Sequence, residues 1–288
     1  MQQPIIDIRA NLGSLYNSLT KTEKVIADFV LKDQEKIVYA SITDLANEIG
    51  VGESTIIRFC RKLGFQSYQN FKLTLGQNIV NSSYTPYSEV GIEIKEDDST
   101  QEIIEKTVNI NVSALHETLS LIDVSEVSRA IDMIAESNKV FFCGAGVSEV
   151  TARDAAYRLL RIGVNSFSVD NYHFQRMQAS LLTKEDTIVA ISHSGNTQDV
   201  QEVIEIAKEN GAKVICITHN RLSPITKISD VVLLHGSKQK LLQGGALSSK
   251  MCQLMIIDCL YNGLFLKFGE VAIENKNATF KSILNRFV

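Results

Sequence analysis

The sequence predicts two fold classes in one chain: an all-α, helix-turn-helix N-terminal bundle, followed by an α/β domain with a doubly wound parallel sheet. Three observations predict this. Residues up to about 76 show apolar positions at helical spacing only. From about residue 139, short apolar runs alternate with amphipathic segments, the pattern of a parallel sheet covered on both faces. Between them a polar stretch from Asn81 to Ser88 runs into an acidic one holding Glu93, Glu96, Asp97 and Asp98, which reads as a linker. The expected organisation is a helical domain over residues 1–80, a linker over 81–100 and an α/β domain over 101–288.

Composition narrows the function classes. At 288 residues, 44% hydrophobic and 22% charged, the chain is long enough for two ordinary globular domains. A net charge of −4 excludes a globally basic nucleic-acid binder, so any DNA contact has to come from local charge. The cysteines Cys60, Cys143, Cys216, Cys252 and Cys259 are odd in number and form no CxxC pair. They read as buried thiols of a reducing compartment, with no disulfide framework and no metal site. The long apolar segment over 247–268 is broken by Ser248, Ser249, Lys250, Gln253, Asp258 and Asn262. It is expected to be a buried or subunit-interface helix, not a membrane span. No signal-peptide pattern is present, and a cytoplasmic location is expected.

In the first domain, Thr20-Lys-Thr-Glu23 has capping-box spacing, and Val25, Ile26, Phe29 and Val30 follow at helical period. A short helix is predicted over Gln34 to Tyr39. Ser41 caps the next, whose apolar positions Ile42, Leu45, Ala46 and Ile49 share a face. Gly50-Val51-Gly52 then makes a tight turn with two residues able to adopt positive φ. The helix after it, about 53–63, stops at Gly64, a natural C′ residue. At about 100° per residue, Ile56, Phe59, Cys60 and Leu63 gather on one side of this helix, and Ser54, Arg58, Arg61 and Lys62 on the other.

Helix, glycine turn, then a helix with an apolar back and a basic front is the layout of a helix-turn-helix, whose second helix enters the DNA major groove. Ser54, Thr55 and Arg58 lie in its N-terminal half, where base edges are reached. Arg61, Lys62 and Lys72 are better placed for phosphates. The charges alone are equally those of an ordinary solvated helix. Acidic and basic residues roughly balance over residues 1–80, so one copy would bind DNA weakly. Useful affinity then needs a homodimer or homotetramer on a palindromic, double-stranded operator.

In the second domain, helices over about 100–121 and 125–137 lead into strands over 139–143, 166–169, 187–191, 213–218 and 231–234. Helices over 150–160, 174–182 and 200–209 intervene. Ligands of such sheets sit at the carboxyl ends of the strands, near a topological switch point. Two strand ends carry informative residues. Thr187-Ile-Val-Ala-Ile191 runs into Ser192-His-Ser-Gly-Asn-Thr197, a hydroxyl-rich turn before an amphipathic helix. Hydroxyl donors, free first-turn N–H groups and the helix dipole suit a phosphate there. The first strand runs into Gly144-Ala-Gly146-Val-Ser148, but Glu149 and Val150 occupy the region of the third glycine, so the dinucleotide fingerprint fails, and no Walker lysine pattern is present. The plain alternative is a pair of unrelated helix caps.

Gly144-Ala-Gly-Val-Ser148 together with Ser192-His-Ser-Gly-Asn-Thr197 resembles the sugar isomerase (SIS) domain, a phosphosugar-binding fold. Thr43-Asp-Leu-Ala46, Ser54-Thr-Ile-Ile-Arg58-Phe-Cys-Arg61-Lys-Leu-Gly-Phe65 and Tyr68-x-x-Phe71 are similar to the N-terminal DNA-binding domain of RpiR-family bacterial transcription regulators. The resemblance covers nearly the whole chain in the family's domain order. It implies operator DNA as the partner of the first domain and a phosphorylated sugar as effector of the second, with no cofactor. The implied regulator would serve genes of sugar or amino-sugar metabolism. The implied ligand residues are Ser148, Ser192, Ser194 and Thr197, with Gly144, Gly146, Gly195 and Asn196 shaping the turns. Gly52 departs from the family, which often has a serine cap there, and His193 stands between the loop serines.

SIS domains also occur in aldose–ketose isomerases, which need a general base near C1 and C2 of the sugar. Glu149, His173, His193 and His219 are the residues able to supply one, but no two of them have a spacing that demands acid–base work. The DNA-binding half favours a regulator without enzymatic activity; a sugar-phosphate isomerase is the alternative, and an adaptor whose helical domain only dimerises is a third.

Overall fold

The computed structural model describes residues 7–82, 94–236 and 247–284. Most of the expected linker and the residues between the last strand and the long C-terminal helix lie outside that range. The chain divides into two compact units, Met1–Leu121 and Ile122–Val288.

The first unit is all helical: α1 (Ile8–Leu15), α2 (Lys21–Lys32), α3 (Gln34–Tyr39), α4 (Ile42–Ile49), α5 (Glu53–Lys62), α6 (Tyr68–Ser82) and α7 (Thr100–Leu121). The caps expected from sequence at Thr20 and Ser41 both form, each as a capping box. Thr20 and Glu23 cap α2 reciprocally, and Ser41 with Asp44 does the same for α4. Ile8, Leu12, Leu15, Ile26, Val30, Ile37, Leu45, Ile56, Phe59, Phe71 and Leu75 make one buried core. Because α7 packs near α1, it groups with this unit, whereas the sequence pattern assigned residues 101–121 to the α/β domain.

The second unit runs α8 (Val124–Ala135), β1 (Val140–Gly144), α9 (Val147–Leu160), β2 (Ser166–Ser168), α10 (Tyr172–Ser180), β3 (Thr187–Ile191), α11 (Gln198–Glu209), β4 (Lys213–Thr218), α12 (Pro224–Ile228), β5 (Val231–Leu234), α13 (Leu247–Phe268) and α14 (Glu270–Leu284). Every pair of neighbouring strands is parallel, in the order β2-β1-β3-β4-β5. This is the flavodoxin-like doubly wound order, with its switch point between β1 and β3.

Strand alternation explains why the sheet needs two layers of helices. Val140, Phe142, Val189, Ile191, Ile215 and Ile217 face one core, with α8, α9 and α13. Phe141, Cys143, Ile188, Ala190, Val214 and Cys216 face the other, with α10 and α11. The helix Ser248–Phe268 is long and apolar enough to cross a membrane by length and composition. Its residues Ile256, Ile257, Leu260 and Leu264 instead pack into the core beside the sheet, so it is a core helix of this unit. The two helices of this unit that sequence periodicity did not predict are α12, with five residues, and α14, whose only fully buried residue is Ala272.

Candidate functional site: a recognition helix and a switch-point crevice

In the first unit, α4 ends on Gly50 in the left-handed conformation (φ 76, ψ 36). The N–H groups of Gly50 and Val51 both return to the Ala46 carbonyl, which closes the helix and turns the chain toward α5. Only Gly50 uses positive φ. Gly52 is extended (φ −76, ψ 147) and serves as the N-cap of α5 with no side-chain cap. Glu53 in the first turn offsets the missing cap by favouring the helix dipole. It also accepts from the Thr43 hydroxyl at 2.6 Å, which ties α5 to α4.

Helix α5 buries Ile56, Phe59 and Cys60, while Ser54, Arg58 and Arg61 are exposed and Thr55 is half-buried. Among the described residues neither arginine has an ion-pair partner, so both guanidinium groups remain available to an anionic surface. Lys62 departs from the expected phosphate-facing role. It is half-buried and donates to the Glu23 carboxylate at 2.8 Å and to the Ser18 carbonyl at 3.2 Å. Burial acts to raise Glu23, but hydrogen bonds from Lys62 and Thr20 outweigh it and hold the carboxyl below its ordinary value. Lys72 is likewise turned inward, donating to the Ala40 carbonyl at 2.7 Å and standing over the Tyr68 ring. The free basic face is therefore Ser54, Arg58 and Arg61.

In the second unit, β1 and β3 are adjacent, with Gly144 opposite Ile191. Both hydroxyl-bearing turns therefore leave the sheet at its switch point. Gly144 is required by close approach: a Cβ there would lie 2.8–2.9 Å from backbone atoms of Ser148 and Glu149. Gly146 is the N-cap of α9 and Ser148 is half-buried in its first turn, with no side-chain cap on the helix. The Ser192–Thr197 loop is held from within. Gly195 N–H meets the Ser192 hydroxyl at 3.2 Å, the Ser192 and Thr197 hydroxyls lie 3.2 Å apart, and Asn196 N–H meets the Ser194 hydroxyl at 3.2 Å. Gly195 has φ 64, and a Cβ on it would fall 2.1 Å from the Ser223 hydroxyl. Thr197 stands at the N-cap of α11 without making a side-chain cap. Neither helix N-terminus is closed by the hydroxyls beside it, which is the opposite of the plain-cap alternative.

The acid–base candidates are dispersed. His173 is exposed at the start of α10. Glu149 is buried, with Oε2 paired to Arg153 at 2.8 Å and Oε1 unpartnered. His193 and His219 stack with ring centroids 5.4 Å apart. A third ring, His235, joins them from the end of β5, 5.3 Å from His193 and 6.1 Å from His219. Sequence reasoning missed His235. The signal was present, because all three histidines fall within two residues of a strand's carboxyl end. Burial pushes His193 down to about 4 and His235 down to about 3, with the neighbouring rings adding to both. No group of His, Cys, Asp or Glu among the described residues is arranged to hold a metal ion.

A helix-turn-helix unit with a free basic face, joined to a doubly wound unit with hydroxyl turns at its switch point, defines a class: DNA-binding transcriptional regulators with a SIS-type domain. The comparisons with known proteins agree. The rpiR-family helix-turn-helix domain matches residues 6–82 and the SIS domain matches residues 133–263. An HTH-type transcriptional regulator of Haemophilus influenzae is 36% identical over 275 residues, 96% of each chain. The HTH-type transcriptional regulator RpiR of Escherichia coli K12 is 31% identical over 259 residues, 90% of this chain and 85% of its own. Among solved structures, the Vibrio vulnificus NanR protein complexed with ManNAc-6P superposes with a TM-score of 0.62 at 25% identity, covering 99% of this chain and 100% of its own. The chain belongs to the RpiR family of HTH-type transcriptional regulators, and these relatives make it a regulator in place of an isomerase.

Proposed function

We propose that the second unit binds a sugar phosphate in the crevice between the Gly144–Ser148 turn and the Ser192–Thr197 loop, and that this ligand modulates operator binding by the first unit. The single observation that carries the reading is geometric: two hydroxyl turns flank one switch point, each leading into a helix N-terminus with no side-chain cap. Ser148, Ser192, Ser194 and Thr197 donate to the phosphate, and the turn glycines and Asn196 bring backbone N–H groups close. The ManNAc-6P bound by NanR supports the ligand class. The regulated genes are those of sugar or amino-sugar metabolism, and the protein acts in the cytoplasm.

On DNA, Ser54, Thr55 and Arg58 of α5 read base edges in the major groove and Arg61 binds phosphate. Lys62 is left out of that set because its ammonium is held by Glu23. A homodimer or homotetramer presents two such helices to a palindromic operator. For the ligand to regulate, it has to bind the DNA-competent and incompetent arrangements with different affinity.

The test is a thermal-shift screen of the full chain against hexose, pentose and amino-sugar phosphates and their unphosphorylated counterparts. A saturable rise in Tm with one phosphosugar, absent for the free sugar and reduced by Ser194→Ala, is the expected result. No shift with any phosphosugar, or equal shifts with the free sugar, overturns the assignment of the crevice.

A further inference from the structure

Among the described residues, the proposed anion site holds no cation. Gly144, Gly146, Ser148, Ser192, Ser194, Gly195, Asn196 and Thr197 are all neutral, and neutral donors alone leave the charge of a bound dianion uncompensated. Among the described residues in the connections that follow the five strands, Arg221 is the only lysine or arginine. It is exposed, and the carboxylate acting on it is Asp123 of the α8 N-cap. Arg153 and Arg176, on the neighbouring helices, are paired with Glu149 and Glu202.

Directly against the loop stand His193, His219 and His235. His193 belongs to the loop, and its carbonyl accepts from the His219 N–H at 3.0 Å and the Thr218 hydroxyl at 3.2 Å. His219 Nδ1 meets the His235 carbonyl at 3.0 Å, and His235 Nδ1 meets the Gly236 carbonyl at 2.8 Å. A carbonyl only accepts, so His235 Nδ1 is the donor and Nε2 carries a lone pair. That Nε2 is buried with no donor to meet it, and His193 Nδ1 is buried and unpartnered as well. The His235 Nε2 lone pair is therefore free to take up a proton. The His193 and His219 rings are stacked, 12° from parallel, and the His235 ring is tilted by 33° and 42° to them.

We propose that His193, His219 and His235 are the proton-accepting half of the anion site: when a dianion settles on the Ser192–Thr197 loop, the cluster takes up one proton and supplies positive charge beside the neutral loop residues. The inference rests on the reading of that loop as the phosphate site. One proton is shared, because two imidazolium rings at these separations repel. The balance is simple: the proton comes from solvent, a ring nitrogen lone pair accepts it, and no other bond changes. The charged groups on the packed elements are Asp199 in the first turn of α11, Arg221 after β4, and Asp123 and Glu126 of α8, the last accepting from Val232 N–H of β5 at 3.1 Å. The charges that act on His193 and His235 are those of the other histidines. Ligand affinity therefore rises as pH falls, as long as the ligand itself remains a dianion.

Sulfate is the probe, because it stays a dianion across the range tested. NMR of the full chain carrying ¹⁵N-labelled histidine, serine and glycine follows sulfate binding at pH 7.5 and 5.5, with chloride at matched ionic strength as control. The expected result is that Ser192, Ser194 and Gly195 amides report binding at least fivefold tighter at pH 5.5. One of the three rings should shift to its imidazolium signature with sulfate and not with chloride. His193→Asn, or His235→Gln should the first fold poorly, should bind sulfate with less than a twofold change between the two pH values. Loop binding that is equally tight at both pH values in the unsubstituted chain, or rings that stay neutral when the loop is occupied, overturns the proton-uptake proposal alone. Loop amides that ignore sulfate at both pH values overturn the anion-site reading along with it.

Discussion

The two units prepare for an anion in opposite ways. In the helix-turn-helix unit the charges are permanent and outside: Arg58 and Arg61 stand exposed on α5, with their helix anchored by Ile56, Phe59 and Cys60 beneath. In the α/β unit the proposed site has no permanent charge among the described residues. It consists of backbone N–H groups, hydroxyls and neutral imidazoles at the ends of parallel strands. The difference follows from what each has to recognise. A DNA surface is extended, polyanionic and solvated, so exposed guanidinium groups suit it and the interaction is salt-sensitive. A small phosphate ester enters a crevice, where oriented dipoles need little reorganisation and a fixed buried cation would be costly when the ligand is absent.

The largest effect expected from breaking this contrast is on the permanent charges. Arg58→Ala should cost about 1–3 kcal/mol for each base edge that is no longer read, counted twice on a palindromic operator, while phosphosugar binding stays within twofold. Fluorescence anisotropy and a parallel ligand titration check both halves. An R58A chain that binds operator like the unsubstituted one removes α5 from the interface.

Next comes pH, which acts on the second unit. His193 and His235 have folded values below their ordinary 6.5, at about 4 and about 3. The unfolded chain therefore binds more protons than the folded one as pH falls below 6.5. Stability is fully present above 6.5 and declines by up to about 1.4 kcal/mol per pH unit for each histidine, until the folded values are reached. Urea denaturation at pH 7 and pH 5 should show this decline in the α/β unit. A dianion on the loop should reduce it.

Gly195→Ala tests the loop itself. Its φ of 64 and the 2.1 Å approach of a Cβ to the Ser223 hydroxyl should cost on the order of 2–3 kcal/mol of stability or displace the loop. Phosphosugar binding should weaken more than tenfold, as measured by calorimetry. The smallest effect sharpens the contrast from the other side. Lys62→Ala should cost about 1–2 kcal/mol of stability, because it leaves Glu23 buried without its cation. The salt slope of operator binding should be unchanged. Arg61→Ala, in contrast, should lower that slope by about one for each phosphate it leaves unneutralised.

Much of this was legible in the residues. The strands announce themselves as apolar runs bounded by polar residues, since a sheet covered on both faces needs apolar residues at every position. The caps at Thr20, Ser41 and Gly64 are local chemistry, and local chemistry is written in consecutive residues. Long-range partners are not. The wheel places Lys62 beside Arg58 but contains nothing about Glu23, which is 39 residues away in sequence and brought near by packing of α2 on α5. Gly52 carries a backbone conformation that glycine permits but does not require. His235 was missed for the same reason as Lys62: its neighbours are set by strand order β3-β4-β5, which the alternation of strands and helices implies only as a class. Helix α14 escaped because, with Ala272 alone fully buried, it has no periodic apolar stripe to read.

The most direct test of the central claim, that one unit reads DNA and the other gates it by a phosphosugar, is operator anisotropy. The purified full chain is titrated onto labelled DNA from upstream of its own and neighbouring genes, at fixed salt, with each phosphosugar added in turn. The account predicts saturable binding to one fragment, a shift of at least fivefold with one phosphosugar, and disappearance of that shift, with unaltered basal affinity, in Ser194→Ala. Specific DNA binding that no phosphosugar alters, or a shift that survives Ser194→Ala, would contradict it.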